Sequence, residues 1–254
     1  SRACPLFAHA LCTNPHGCIA NSAAMATLDK RPPDDSKTVC LLQDSETLID
    51  NFCAPTAVGP VGAAQEVVSA ASMCLPALYS LVLLLSAPTS VGCLVCGQVV
   101  FAGTALHLPF SIAYHAAEAM RSSGRTVDVT PWRCSDQTMV HVSCAMNAWA
   151  LSRSVEYLVL LALPVNLYAI CMLWFRAKTE PRHYRFIRMG FAVFFYLLPL
   201  ACRGEWWAFI SAGGLFLSGA ALFVADPWLA GWGQGGLHLM MVPFAYVVMN
   251  FAMA

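Results

Sequence analysis

The 254-residue chain is 58% hydrophobic and only 11% charged, with 14 basic residues against 14 acidic ones. A soluble domain usually carries about 25% charged residues, so this composition predicts a polytopic membrane protein. The balanced charge gives no support for nucleic-acid binding, and we expect no nucleic-acid partner.

Residues 1–66 differ from the rest and are predicted to form an extramembrane arm. They contain the charged loop "DKRPPDDSK" and five cysteines, Cys4, Cys12, Cys18, Cys40 and Cys53. A segment this short buries little core, so disulfides in an oxidising compartment would stabilise it. The odd number of cysteines leaves a second interpretation equally open, in which a poorly ordered arm rests on the membrane domain.

Residues 67–254 are predicted to form an all-α, seven-helix transmembrane bundle. The segments are solidly apolar rather than alternating, and most approach the length of about 20 residues that a membrane helix needs. They are Val67–Ala87, Val91–Met120, Ser135–Ser152, Val155–Phe175, Phe186–Cys202, Trp206–Val224 and Gly235–Met253. The third segment is short and contains His141 and Asn147. A six-span alternative therefore treats it as re-entrant.

The short loops predict how the chain is oriented in its membrane. With seven spans, the arm and the loops 121–134, 176–185 and 225–234 share one face, where most arginines and lysines lie. The opposite face has Arg153 and Arg203. The positive-inside rule therefore places the N-terminus towards the cytosol, matrix or stroma. This orientation conflicts with a disulfide-bonded arm, and the loops carry more weight because they lie next to the spans.

Polar side chains in apolar segments are costly and mark candidate sites. In "PFSIAYHAAEAM", Ser111 and His115 are one helical turn apart on the same face. Asp136 begins the third segment and His238 the seventh, so His115, Asp136 and His238 approach the same membrane face. Two imidazoles and a carboxylate suit a divalent metal, most plausibly zinc, with Ser111 and Asp136 acting on a water molecule. In the alternative interpretation these groups only hydrogen-bond between helices.

Three sequence stretches resemble the CREST-type seven-transmembrane hydrolase superfamily, which includes alkaline ceramidases, adiponectin-type receptors, GPI-processing lipases and myomaker. "SIAYHAAE", "RCSDQTMVHVSCAMNAW" and "GQGGLHLMMVPFAYVVM" are similar to the second-helix motif, third-helix start and last helix of the myomaker and GPI-processing phospholipase branch. The resemblance covers residues 67–254. It implies hydrolysis of lipid amides or esters at a zinc ion held by three histidines. His115 and His238 would be ligands, and Ser111 and Asp136 would support the water.

The last-helix motif departs from that pattern at Gln234, which stands four residues before His238 where the family has histidine. Glutamine is a poor zinc ligand beside imidazole, so another group completes the site, or the metal is weak, or catalysis is lost. His107 shares the face of His115 but lies two turns away, about 12 Å along the helix. His141 is nearer to Asp136 and is the better substitute ligand.

Three functions follow from these observations. The favoured one is a zinc-dependent intramembrane hydrolase of lipid amides or esters, or a catalytically degenerate relative, with membrane lipids as partners. The second is a structural subunit of a large membrane protein complex without catalysis. The third is a haem- or pigment-binding protein with axial ligands from His107, His115, His141 or His238. A further motif, "CLVC" at Cys93 and Cys96, is interpreted as packing within the second span.

Overall fold

The computed structural model describes residues 62–88 and 92–254, and it gives no account of the side chain of Arg182. The predictions for the five arm cysteines lie outside the described residues. Within the described part of the chain every regular element is helical and no strand occurs. The prediction of an all-α fold is therefore confirmed.

The described residues form seven long helical segments. Their elements are α1 (Ala63–Ser72), α2 (Cys74–Leu85), α3 (Leu94–Ser122), α4 (Thr130–Ser152), α5 (Val155–Tyr157), a π-helical turn (Leu158–Ala162), α6 (Leu163–Phe175), α7 (Arg182–Cys202), α8 (Trp206–Val224) and α9 (Gly233–Met253). The helices α1 and α2 make up the first segment, and α5, the π turn and α6 together make up the fourth. The first segment begins at Ala63, earlier than the predicted Val67.

Six of the seven segments are long and apolar enough to cross a membrane. They are Ala63–Leu85, Leu94–Ser122, Val155–Phe175, His183–Cys202, Trp206–Val224 and Gly233–Met253. Large apolar side chains on their outer faces are exposed, such as Leu160 at 72% and Leu217 at 66%. The protein is therefore an integral multi-pass membrane protein. The remaining segment, α4, has 23 residues but is less apolar, and its membrane crossing stays a prediction.

Successive segments run in opposite directions between two ends of the bundle. At one end, backbone carbonyls of residues 251–253 accept hydrogen bonds of 2.9, 3.1 and 3.2 Å from Cys93, Arg153 and Arg203. These bonds bring the start of α3 and the ends of α4 and α7 to the end of α9, and we call this the Met253 end. The start of α9 defines the opposite, Gln234 end. Since α4 finishes at the Met253 end, it runs along the bundle like its neighbours.

Small residues set the close packing of α3 against α4. The Ser143 hydroxyl donates a 2.7 Å hydrogen bond to the Gly103 carbonyl, and a Cβ built on Gly103 would lie 3.4 Å from Ser143 Cα. Without a hydrophobic driving force between helices in lipid, such close contacts and interhelical hydrogen bonds hold the helices together. The same packing aligns the polar residues that α3 and α4 carry towards the Gln234 end.

The motif "CLVC" spans the start of α3. Cys93 precedes the first residue of the helix, and its sulfur is bonded to that of Cys96 in the first turn. Both cysteines pack in or against the apolar core, as predicted, whereas the position of Cys93 before the helix and the bond between the two sulfurs were not predicted.

Candidate functional site

A cavity of about 900 Å³ extends into the bundle from the Gln234 end. Its polar lining includes Glu66, His107, Ser111, Asp136, Gln234 and His238. Further along the bundle its wall is apolar, with Val100, Phe244, Ala245 and Val248. Binding sites for small molecules typically combine an apolar wall with a few convergent polar groups, as this cavity does.

The rings of His115 on α3 and His238 on α9 lie next to each other. Their centroids are 5.7 Å apart and the rings are nearly perpendicular, at 80°. Both side chains are buried, with only 1% and 5% of each residue exposed. Because metal–nitrogen bonds are about 2 Å long, imidazoles at this separation are close enough to share one ion.

Helix α1 holds both rings through their Nδ1 atoms. The His115 Nδ1 atom is 2.7 Å from Glu66 Oε2, and the His238 Nδ1 atom is 3.0 Å from the Ser69 carbonyl and 2.9 Å from Ser72 Oγ. A carboxylate and a carbonyl only accept hydrogen bonds, so we assign the proton of each neutral ring to Nδ1. Both Nε2 atoms then carry lone pairs. Metal-ligating histidines are usually oriented in this way, by a carboxylate or a backbone carbonyl.

Gln234 lies beside the same pair. Its side-chain nitrogen is 3.2 Å from His115 Nε2 and donates a hydrogen bond to the lone pair there. The backbone N–H of Gln234 donates to Asp226 Oδ1 at 3.0 Å, which fixes the first turn of α9. A rotation of the side-chain amide would bring its oxygen to the position of its nitrogen.

The groups that could hold a metal here are two imidazoles and one amide oxygen, not three imidazoles. Among the described residues no group of three His, Cys, Asp or Glu side chains is arranged to hold an ion. Glutamine oxygen binds zinc more weakly than imidazole, so the expected site is weaker than the one that the family resemblance implies.

Asp136 is paired with a histidine that the sequence analysis set aside. His107 Nε2 is 2.8 Å from Asp136 Oδ1, and their side chains are 16% and 15% exposed. Ser111 lies one turn from both His107 and His115 on α3, is 2% exposed and lines the same cavity. His107, Ser111 and His115 are spaced four residues apart, and this spacing indicates from the sequence alone that all three face the same partner surface.

His141 lies on α4, and its hydrogen-bond partner is on α6. Its Nδ1 atom is 2.9 Å from Asn166 Oδ1, and the Asn166 amide donates to the Ala162 carbonyl at 2.8 Å. Since the amide nitrogen is used in that bond, Oδ1 accepts the His141 Nδ1 proton. His141 also lines the cavity. Its role as a substitute ligand stays a prediction.

Glu66 is the clearest functional candidate that the sequence analysis missed. It was assigned to the arm because the first span was predicted to begin at Val67. Helix α1 begins at Ala63, so Glu66 belongs to the bundle and lies in the first turn of α1. A single carboxylate within "AAQEVVSAAS" was the available signal, since an acid among apolar residues needs a partner.

Charged residues line the cavity at the Gln234 end. Arg121 and Glu118 form an ion pair of 2.6 Å, and the guanidinium of Arg133 donates to the Ala177 carbonyl at 3.0 Å.

Comparisons of the chain with protein-family models, with curated proteins and with solved structures give no match.

Proposed function

We propose that this chain is a membrane-embedded hydrolase of lipid amides or esters that depends on a divalent metal, zinc in the first place. The observation that carries this proposal is the pair of buried imidazoles, His115 and His238. Both have their Nδ1 atoms hydrogen-bonded, which leaves the lone pairs on their Nε2 atoms for a metal; His238 lines a large cavity, and the lone pair of His115 accepts a hydrogen bond from Gln234. Purely structural histidines would not require this matched orientation.

His115 and His238 would hold the metal, with the Gln234 amide oxygen as a third ligand. A zinc ion held there would polarise a substrate carbonyl and lower the pKa of a water molecule. Glu66 keeps the His115 ring in one orientation and makes its Nε2 atom a stronger donor to a cation. Ser69 and Ser72 do the same for His238.

The proton transfers of hydrolysis are assigned to groups on α3 and α4. Asp136 would act as the general base through the carboxylate oxygen that does not contact His107 Nε2. The Ser111 hydroxyl, one turn from His115, is placed to donate a hydrogen bond to an oxygen on which negative charge develops. These roles match those that the resemblance implies for Ser111 and Asp136, and add His107 as the residue that positions Asp136.

The cavity suits a lipid. Its volume of about 900 Å³ falls within the range of about 300–1,000 Å³ that is common for small-molecule sites. Apolar residues such as Val100 and Phe244 would contact a hydrocarbon chain, and the charged residues at the Gln234 end would contact a polar headgroup. The susceptible amide or ester bond would then lie between these regions, at the level of the histidines.

We also propose that α4 is a seventh membrane span. Its polar residues Asp136, His141 and Asn147 line the cavity, which accounts for its lower apolarity without exposing them to lipid. With seven spans, the arginine-rich Gln234 end faces the cytosol, matrix or stroma.

A second function is favoured by one specific contact. The Gln234 amide donates to the same His115 Nε2 lone pair that a metal would use. This contact satisfies the polar groups without an ion, as expected of a relative that kept the fold and serves as a non-catalytic subunit of a membrane complex.

Zinc content and lipid hydrolysis of the purified protein distinguish the two functions. Wild type, His115→Ala and Gln234→His should be compared by elemental analysis and by release of fatty acid from amide and ester lipids in mixed micelles. The hydrolase proposal expects zinc and product in the wild type and neither in His115→Ala. If only Gln234→His binds zinc, the non-catalytic function is correct. The same holds if all three folded proteins are free of metal.

A further inference from the structure

The Met253 end carries a second chemical group, the disulfide between Cys93 and Cys96. The two Cα atoms are 5.4 Å apart, within the usual range for a disulfide. The cross-link closes a loop of only three peptide units, from the residue before α3 to its first turn. A loop this short restricts the unfolded chain much less than a long one, so stabilisation alone is a weak reason for it.

The two sulfurs have different surroundings. Cys96 is 1% exposed, whereas Cys93 is only partly buried. Cys93 Sγ also accepts a hydrogen bond of 3.3 Å from the backbone N–H of Cys96. Backbone N–H groups at the start of a helix stabilise negative charge on a sulfur. Cys93 is therefore the more accessible residue of the pair, and its thiolate would be stabilised on release.

The backbone around the cysteines is held by contacts other than the disulfide. The Cys93 N–H donates to the Met253 carbonyl at 2.9 Å. A Cβ built on Gly97 would lie 2.7 Å from the Met253 sulfur, so a larger residue there would require the Met253 side chain to move. These contacts would persist after reduction, which allows the S–S bond to open and close without unfolding α3.

We propose that Cys93 and Cys96 are a redox-active pair that exchanges with a dithiol on a protein or peptide partner at the Met253 end. A partner thiolate attacks Cys93 Sγ, the Cys93–Cys96 bond breaks, and Cys96 leaves as a thiolate that takes up a proton. The second partner thiol, as its thiolate, attacks the partner sulfur of the mixed disulfide and releases Cys93. The partner loses two electrons and becomes a disulfide, and the pair becomes two thiols. This activity does not depend on the proposed hydrolase.

Glutathione serves as the probe thiol for the full-length protein in detergent. The oxidised protein is equilibrated in buffers of increasing ratio of reduced to oxidised glutathione, then alkylated and analysed by mass spectrometry. We expect Cys93 and Cys96 to become alkylated together while the far-ultraviolet circular dichroism stays unchanged. Reduction that occurs only after the helical signal is lost would overturn the proposal, and so would two free thiols in the oxidised protein.

Two matched variants test which sulfur exchanges. Cys96→Ser should accumulate glutathione on Cys93, because the resolving thiol is missing, whereas Cys93→Ser should accumulate at least about tenfold less on buried Cys96. The control is Cys202→Ser, which removes an exposed cysteine at the end of α7 and should leave the behaviour of the pair unchanged. Equal adducts on the two single variants would overturn the assignment. Zinc content measured on the same samples keeps this test separate from that of the hydrolase.

Discussion

The two ends of the bundle use their polar side chains differently. At the Met253 end, Arg153 and Arg203 donate to backbone carbonyls in the last turn of α9, which have no partners within that helix. At the Gln234 end, ionisable side chains such as Glu66 and His115 bind each other, and Glu66 lines the cavity. The two arginines satisfy backbone carbonyls at the end of a helix, which the fold itself requires. The ionisable side chains at the Gln234 end satisfy no such backbone groups, so binding or chemistry is expected at that end.

The largest expected effect is that of His115→Ala on the Gln234 end. A site with two imidazoles has no ligand to spare, so the zinc content should fall to background, as measured by elemental analysis of the purified protein. His141→Ala is the matched comparison: its imidazole is bonded to Asn166, so zinc should be retained, whereas a loss of zinc in both variants would support His141 as a substitute ligand. If His141→Ala loses zinc and His115→Ala keeps it, the assignment of the pair is wrong.

Glu66→Gln tests whether α1 orients the site. The variant loses the negative charge that holds the His115 Nδ1 proton, and zinc affinity should weaken by about 10- to 100-fold, as for other second-layer partners of ligating histidines. Competition with a fluorescent zinc chelator measures this change. Glu205→Gln removes an exposed carboxylate near the Met253 end and should leave the affinity unchanged. An equal loss in both variants would mean a general charge effect.

Gln234→His should move affinity in the opposite direction. A third imidazole in place of the amide should tighten zinc binding by at least about tenfold, which corresponds to about 1.4 kcal/mol. The same competition assay applies. Gln234→Asn is the control, because it keeps an amide but shortens its reach and should not strengthen binding. Unchanged affinity in Gln234→His would place residue 234 outside the coordination sphere.

Arg153→Ala should have the smallest effect and should act on stability alone. It removes the 3.1 Å hydrogen bond to Ala252 and a positive charge at a helix end, costing about 1 kcal/mol. Arg153 has a φ of 52°, a region that favours glycine, so Arg153→Gly should lose less stability than Arg153→Ala. Thermal unfolding in detergent compares the two. A loss of zinc in either variant would contradict the separation of the two ends.

The sequence was sufficient for the helical class and most spans, because long apolar segments have one low-energy solution in lipid. It was also sufficient to predict that His115 and His238 approach each other, since both lie near the same membrane face. The pairing of His107 with Asp136 was not readable. It depends on the register between α3 and α4, which the contact between Gly103 and Ser143 fixes only in three dimensions.

Helix starts were the other source of error. A shift from Val67 to Ala63 moved Glu66 from the arm into the bundle, and a shift from Val91 to Leu94 moved Cys93 to the residue before α3. The first residue of an apolar stretch does not coincide with the first hydrogen-bonded residue of a helix. Composition therefore does not locate a helix start to within a turn. Residues at and just before the first turn are the ones most affected, and here they include the Glu66 carboxylate and the Cys93 sulfur.

Helix α1 contributes no metal ligand, yet Glu66, Ser69 and Ser72 lie along one stripe of it and hold the Nδ1 atoms of both imidazoles. The direction in which each ring presents its lone pair is therefore a property of how α1 docks, not of α3 or α9. A sliding or rotation of this single helix would release both rings together and leave every ligand in place. The docking of one helix thus sets the orientation of both rings.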